Sequence, residues 1–134
     1  MQLKDSSLLR QHGFIHGEWR SARSGATIAI RNPANGTVVG EVPVMGATET
    51  REAIDAAAKA MPAWAKRTAK ERAVILRRFA ELMLANADDL AIIMTSEQGK
   101  PLAEAKGEVA YAASFLEWFA EEGKRLYGDM IPSH

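Results

Sequence analysis

The chain has 134 residues, no cysteine, 17 basic and 17 acidic side chains, and is 47% hydrophobic. That length accommodates one modest core. The absence of thiols excludes a disulfide scaffold, a cysteine-ligated zinc site and a thiol nucleophile on this chain, and the balanced charge argues against an electrostatic nucleic-acid binder. Alanine supplies 24 residues, against 28 for leucine, valine, isoleucine and phenylalanine together. Alanine adds helix propensity but little burial, so the count favours closely approaching helices over a thick core. The start, Met1-Gln2-Leu3-Lys4-Asp5-Ser6-Ser7, lacks a basic-then-apolar signal pattern, and no apolar run nears the ~18 residues of a membrane helix. A soluble, cytoplasmic, helix-rich protein is expected, with neither nucleic acid nor membrane as partner.

The first third reads as β structure. Phe14 to Trp19 places His16-Gly17 between short apolar pieces, a hairpin signal. Thr27 to Arg31 reads as a strand and Asn32-Pro33-Ala34-Asn35-Gly36 as a turn, since Pro33 pre-sets φ and Asn35-Gly36 tolerates φ > 0. Thr37 to Pro43 is the return strand, giving two hairpins over residues 14–43.

Helical periodicity then runs over about 48–127. The first helix has Thr48 as N-cap, a stripe of Ala53, Ile54, Ala57 and Met61, and Pro62 to end or kink it. Thr68 and Glu71 form a capping box ahead of a helix with Ile75, Leu76, Phe79, Leu82 and Met83 on one face. Asn86 repeats the capping logic for a short helix carrying Leu90, Ile93 and Met94. Gly99 stands where an αL cap belongs, and Pro101 opens the last helix. Its stripe is Leu102, Val109, Ala113, Leu116, Ala120 and Leu126, and Gly128 is the expected stop.

Few residues suggest chemistry of their own. Gly36 and Gly40 run into a strand rather than a helix N-terminus, so no phosphate cradle is expected. His12, His16 and His134 give no helical metal pair, and Ser96 and Ser114 have no evident histidine partner. The basic run Lys66, Arg67, Lys70, Arg72, Arg77 and Arg78 reads as a solvated helix face, interleaved with Glu71 and Glu81. Glu121 and Arg125 form an i,i+4 pair. Phe115, Trp118 and Phe119 either pack or line a ligand channel, packing being the plainer reading. Glu97 is less easily assigned. A carboxylate one turn from a helix C-terminus opposes the helix dipole, so a cation or a buried donor should compensate it, while Lys100 faces the dipole's negative end.

Four runs carry a family resemblance: Asn32 to Gly36, Thr68 to Arg72, Glu97 to Pro101 and Tyr127 to Pro132. In order and spacing they resemble the N-terminal region of the aldehyde dehydrogenase superfamily. Leu102 to Glu108 and Ala112 to Arg125 look most like its bacterial succinate-semialdehyde branch. The resemblance covers the whole chain but only the opening part of the family's longer one. It implies an α/β parent in which residues 1–134 are the outer layer of a Rossmann-like cofactor domain, mostly helical with N-terminal hairpins. It implies oxidation of succinate semialdehyde to succinate with NADP or NAD, through a cysteine thiohemiacetal and a glutamate-activated water. Those groups would lie beyond His134, leaving no catalytic or cofactor-binding residue here and the segment inactive alone. The parent would be a homotetramer acting on a small aldehyde. Without the sheet it covers there, the segment would leave apolar stripes open and could self-associate.

Two family features fall on residues present. Carbonyls of Ile30 and Arg31 with the Glu97 side chain correspond to a monovalent-cation site, although family members often carry aspartate at Glu97. Ala112, Phe115 and Phe119 correspond to the wall of the substrate entrance. Other readings of the same chain are a different semialdehyde dehydrogenase, such as one for glutarate semialdehyde, or a self-standing helical interaction module.

Overall fold

A computed structural model describes residues 1–131 and 133. Pro132, at the end of the last resembling run, and His134 lie outside the described residues. Strands β1 (Gly13–Ile15) and β2 (Glu18–Arg20) form one antiparallel pair, and β3 (Thr27–Arg31) and β4 (Val38–Pro43) another. Helices α1 (Ala47–Ala65), α2 (Ala69–Ala85), α3 (Ala87–Gln98) and α4 (Leu102–Glu122) follow. None of the described helices is long and apolar enough to cross a membrane.

Both expected hairpins form, and local chemistry accounts for each. His16 and Gly17 have φ of 56° and 82°, the double positive φ that a two-residue type I′ hairpin turn requires. In the β3–β4 turn the Asn32 side chain accepts from the Ala34 amide at 2.9 Å and Asn35 from the Thr37 amide at 3.0 Å. These Asx bonds, with Gly36 at φ 73°, fix the reversal. The β3–β4 register shifts between Ile30 and Arg31, so the regular ladder breaks there.

The helix boundaries depart from expectation in three places. Helix α1 is capped at Gly46, not Thr48: the Glu49 carboxylate reaches back to accept the Gly46 amide at 3.0 Å. It also runs through Pro62 to Ala65. Pro62 removes one intrahelical donor, and because only three helical residues follow it, little of the helix lies beyond the disturbance. Helix α4 stops at Glu122, with Gly123 as its cap, rather than at Gly128. Gly123 is a poor helix former, and Leu126 and Tyr127 beyond it are exposed, so no packing supports another turn.

Other caps follow the sequence. The Thr68 hydroxyl accepts from the Glu71 amide at 3.3 Å while the Glu71 carboxylate accepts from the Thr68 amide at 2.8 Å. That reciprocal box contributes about 1 kcal/mol. Gly99 ends α3 with φ 80°, and a Cβ there would come within 2.8 Å of Pro33 Cγ. Both the backbone angle and the turn pressed against it exclude a side chain. Asn86 does not cap α3 with its side chain, which instead donates back to the Leu82 carbonyl at 2.8 Å.

The core lies between α2 and α4, with α3 packed on α4 and β3 on α3. Its fully buried positions are almost all alanine: Ala73 and Ala80 on α2, Ala91 on α3, and Ala105, Ala113 and Ala120 with Val109 on α4. Small side chains at i, i+7 and i+4 spacings let the helix backbones approach closely. The large residues that periodicity assigned to the core are mostly outside it. Ile54, Met61, Phe79 and Leu102 are exposed, while Leu76, Met83 and Leu116 are half-buried.

Candidate functional site

The residues expected to matter fall in two places. The first is where the β3–β4 turn meets the C-terminus of α3. Pro33 contacts Gly99 and β3 packs on α3, so the segment carrying Ile30 and Arg31 adjoins the helix that carries Glu97. Ile30 is half-buried, while Arg31 and Glu97 are exposed. The Arg31 guanidinium donates to the Gly36 carbonyl at 3.0 Å, inside its own hairpin. Exposure changes the expectation for Glu97, since a solvated carboxylate at a helix end needs no buried donor. Lys100 is not turned to that helix end either; it pairs with Glu108 on α4. Among the described residues, no three His, Cys, Asp or Glu side chains cluster as metal ligands.

The second place is the outer face of α4. Phe115, Trp118 and Phe119 do not pack inside the chain, as the plainer sequence reading had them; with Ser114 they line an open cleft of about 340 Å³. Tyr111 meets Phe115 edge-to-face, with ring centroids 4.8 Å apart. Ala112 is exposed on the same helix. The lining is aromatic apart from Ser114, whose hydroxyl donates to the Tyr111 carbonyl at 2.7 Å.

The basic run resolves largely into structural contacts. Arg72 donates to the Ala65 and Arg67 carbonyls at 3.4 and 2.6 Å. Arg78 pairs with Glu81 at 3.3 Å, and Arg77 with Glu121. Glu121 therefore ties α4 to α2 instead of pairing with Arg125, which turns to Glu122 at 2.7 Å. Lys124, at 2.7 Å, together with Arg77 holds the Glu121 carboxyl below its ordinary range.

Among the described residues two carboxylates are buried, Glu49, which the sequence reading did not single out, and Asp89, which it read only as part of the capping run Asn86 to Asp89. Glu49 accepts the Arg23 amide at 3.0 Å in addition to the Gly46 amide. These backbone donors hold its pKa below the ordinary glutamate value. Asp89 accepts the Lys4 and Asp5 amides at 3.0 and 2.8 Å. Its neighbour Asp88 lies between Lys106 at 2.7 Å and Lys4 at 3.0 Å, hydrogen bonds that depress its pKa to about 2. A depressed carboxylate stabilises above its unfolded value and loses that contribution as pH falls through the folded one. The Asp88 pairs are accordingly intact from about pH 4 upward and are lost toward pH 2. No capping or period signal marks either residue as a long-range acceptor.

Comparison with known proteins decides what such a scaffold belongs to. The Aldehyde dehydrogenase family model matches residues 19–134. The chain belongs to the aldehyde dehydrogenase family. It is 66% identical to a glutarate-semialdehyde dehydrogenase of Pseudomonas putida over its full length, covering 28% of that protein. It is 64% identical to the succinate-semialdehyde dehydrogenase [NADP(+)] of Escherichia coli, with the same coverage. The crystal structure of succinate-semialdehyde dehydrogenase from Burkholderia pseudomallei superposes with a TM-score of 0.94 at 60% identity, over 99% of this chain and 28% of that one. The chain thus spans little more than a quarter of the relatives it matches.

Proposed function

We propose that this chain is the N-terminal part of the cofactor domain of a cytoplasmic, homotetrameric, NAD(P)-dependent dehydrogenase that oxidises a dicarboxylic semialdehyde. The observation that carries the reading is its end-to-end identity of 64–66% with enzymes named for glutarate and succinate semialdehyde. Those two identities do not separate the substrates, so succinate and glutarate semialdehyde stand together as candidates.

The nicotinamide group does not fit the residues here. Among the described residues both sheets are antiparallel hairpins with no βα crossover, and Gly36 to Gly40 run into strand β4. The chain also has no cysteine to attack an aldehyde. Its role is scaffolding, with α4 presenting Ala112, Phe115 and Phe119 as the wall of the substrate entrance. The chain alone is expected to oxidise neither semialdehyde with NAD or NADP. Grafted in place of the matching segment of the Pseudomonas putida relative, it should leave that enzyme active. Turnover by the isolated chain, or a folded but inactive graft, would overturn the reading.

We also infer that Ile30, Arg31 and Glu97 contribute to a monovalent-cation site in the complete enzyme. The placement of this segment supports it, because β3 packs on α3 and Pro33, just after Arg31, adjoins Gly99 at the end of that helix. The exposed Glu97 supplies a carboxylate nearby on α3. Thermal melts of the graft in potassium, sodium and a bulky organic cation test it. Potassium should raise the melting temperature, and Glu97→Gln should abolish the rise. Identical melts in all three salts would remove the site.

A further inference from the structure

The first eleven residues carry no regular strand, yet they are held at three separate points. At the first, the Lys4 and Asp5 amides donate to the two oxygens of Asp89, whose side chain at the start of α3 is only 3% exposed. Lys4 Nζ adds a bond to Asp88, which also pairs with Lys106 of α4. The chain then makes a 3-10 turn at Ser6–Leu8, capped by the Asp5 carboxylate on the Ser7 amide at 2.9 Å. At the second point, the Arg10 guanidinium lies 4.9 Å from the centre of the Trp19 ring on β2. At the third, the Gln11 side-chain oxygen accepts the Glu41 amide of β4 at 2.8 Å.

This route has a mechanical consequence. The Glu41 amide points away from β3 on an edge strand, and Gln11 is what covers it. The β3–β4 hairpin otherwise meets the helices through β3 on α3 and Pro33 on Gly99. Residues 4–11 therefore link the start of α3 to the outer edge of β4, while Pro33 touches the end of α3. The helix is gripped at both ends by one continuous run of chain.

We propose that residues 4–11 are a strap, latched by the Asp89 carboxylate, that docks and releases as one unit independently of the α2–α4 core. Asp89 is the latch because it is buried and charged and its two oxygens are committed to strap amides. Replacing it with a neutral amide leaves at least one of those donors facing another donor. The Asp88 pairs are exposed and add less.

Amide hydrogen exchange on the intact chain tests this. In the parent protein the amides of Lys4, Asp5 and Glu41 should be protected. In Asp89→Asn all three should exchange faster by a common factor, roughly ten- to a hundredfold for losing bonds to a charged acceptor. The amides of Ala80 and Ala113 should keep their parent rates. Gln11→Ala, an exposed substitution that spares the core, should quicken Lys4 and Asp5 as well as Glu41. The proposal fails if Glu41 is unaffected by Asp89→Asn, or if Gln11→Ala leaves Lys4 and Asp5 unchanged, since the strap would then not move as a unit. It also fails if the Ala80 and Ala113 amides accelerate in step with the strap, which would make Asp89 a support of the whole fold.

Discussion

In solution the chain is expected to bind a hydrophobic dye and to sediment as more than a monomer. On α2, Ile75, Phe79 and Leu82 stand exposed beside the buried seam, and on α4 so do Tyr111, Phe115, Trp118 and Phe119. Five half-exposed aromatic rings, each with ~150–250 Å² of surface, already give roughly 500 Å² of apolar area, to which the aliphatic residues add. A monomeric protein rarely leaves that much uncovered without a use for it. Phe79→Ser combined with Phe119→Ser should lower both dye fluorescence and the weight-average mass. A parent chain that sediments as a monomer and leaves the dye dark would show that the segment closes its own surface. The self-standing-module reading would then gain.

The largest loss of stability from one substitution is expected at Ala80. It has no exposed surface and lies on the α2 face that meets α4. Leucine there must force two close-packed backbones apart, which costs about 1–3 kcal/mol. Ile54→Ala on α1 should change stability by less than about 0.5 kcal/mol, because Ile54 is 61% exposed. Urea-unfolding midpoints, taken where the chain is dilute enough to be monomeric, compare the two. An Ala80→Leu midpoint equal to the parent's would mean that the seam has room the alanines leave unused.

That contrast also shows how far the sequence could be read. Asn35-Gly36, the Thr68–Glu71 box and Gly99 were legible because each depends on residues within a few positions, whereas the caps expected at Thr48 and Asn86 and the stop at Gly128 did not form as read. The number and order of helices followed from the 3.6-residue period. What the period could not say is which apolar face finds a partner. Stripes through Ile54, Met61 and Phe79 are real but uncovered, whereas burial fell to alanines that hydrophobicity ranks lower. Long-range acceptors escaped for a related reason. Asp89 lies 84 and 85 positions from the amides it holds, and Glu121 lies 44 from Arg77. Each had a local reading, Asp89 in the Asn86 capping run and Glu121 as a partner of Arg125, and neither reading points to a distant donor. Of the candidate site, the aromatic run Phe115, Trp118 and Phe119 was legible as packing or as a cleft, and spacing favoured packing because it does not say whether a ring finds a partner.

Arg72 gives the fold a property that belongs to its assembly. The residue sits in the first turn of α2, yet its guanidinium closes the open carbonyls that end α1, at Ala65 and Arg67. The carbonyls at the end of α1 therefore gain these side-chain donors only when the first turn of α2 places Arg72 beside them. A helix nucleus is costly for a chain to form, and here the second nucleus also finishes the first. Helix α1 is held at its other end, where Glu49 accepts the Arg23 amide and Glu52 pairs with Arg20 and Arg23, while its apolar stripe is exposed. The C-terminal end of α1 is thus coupled to the start of α2 through one side chain.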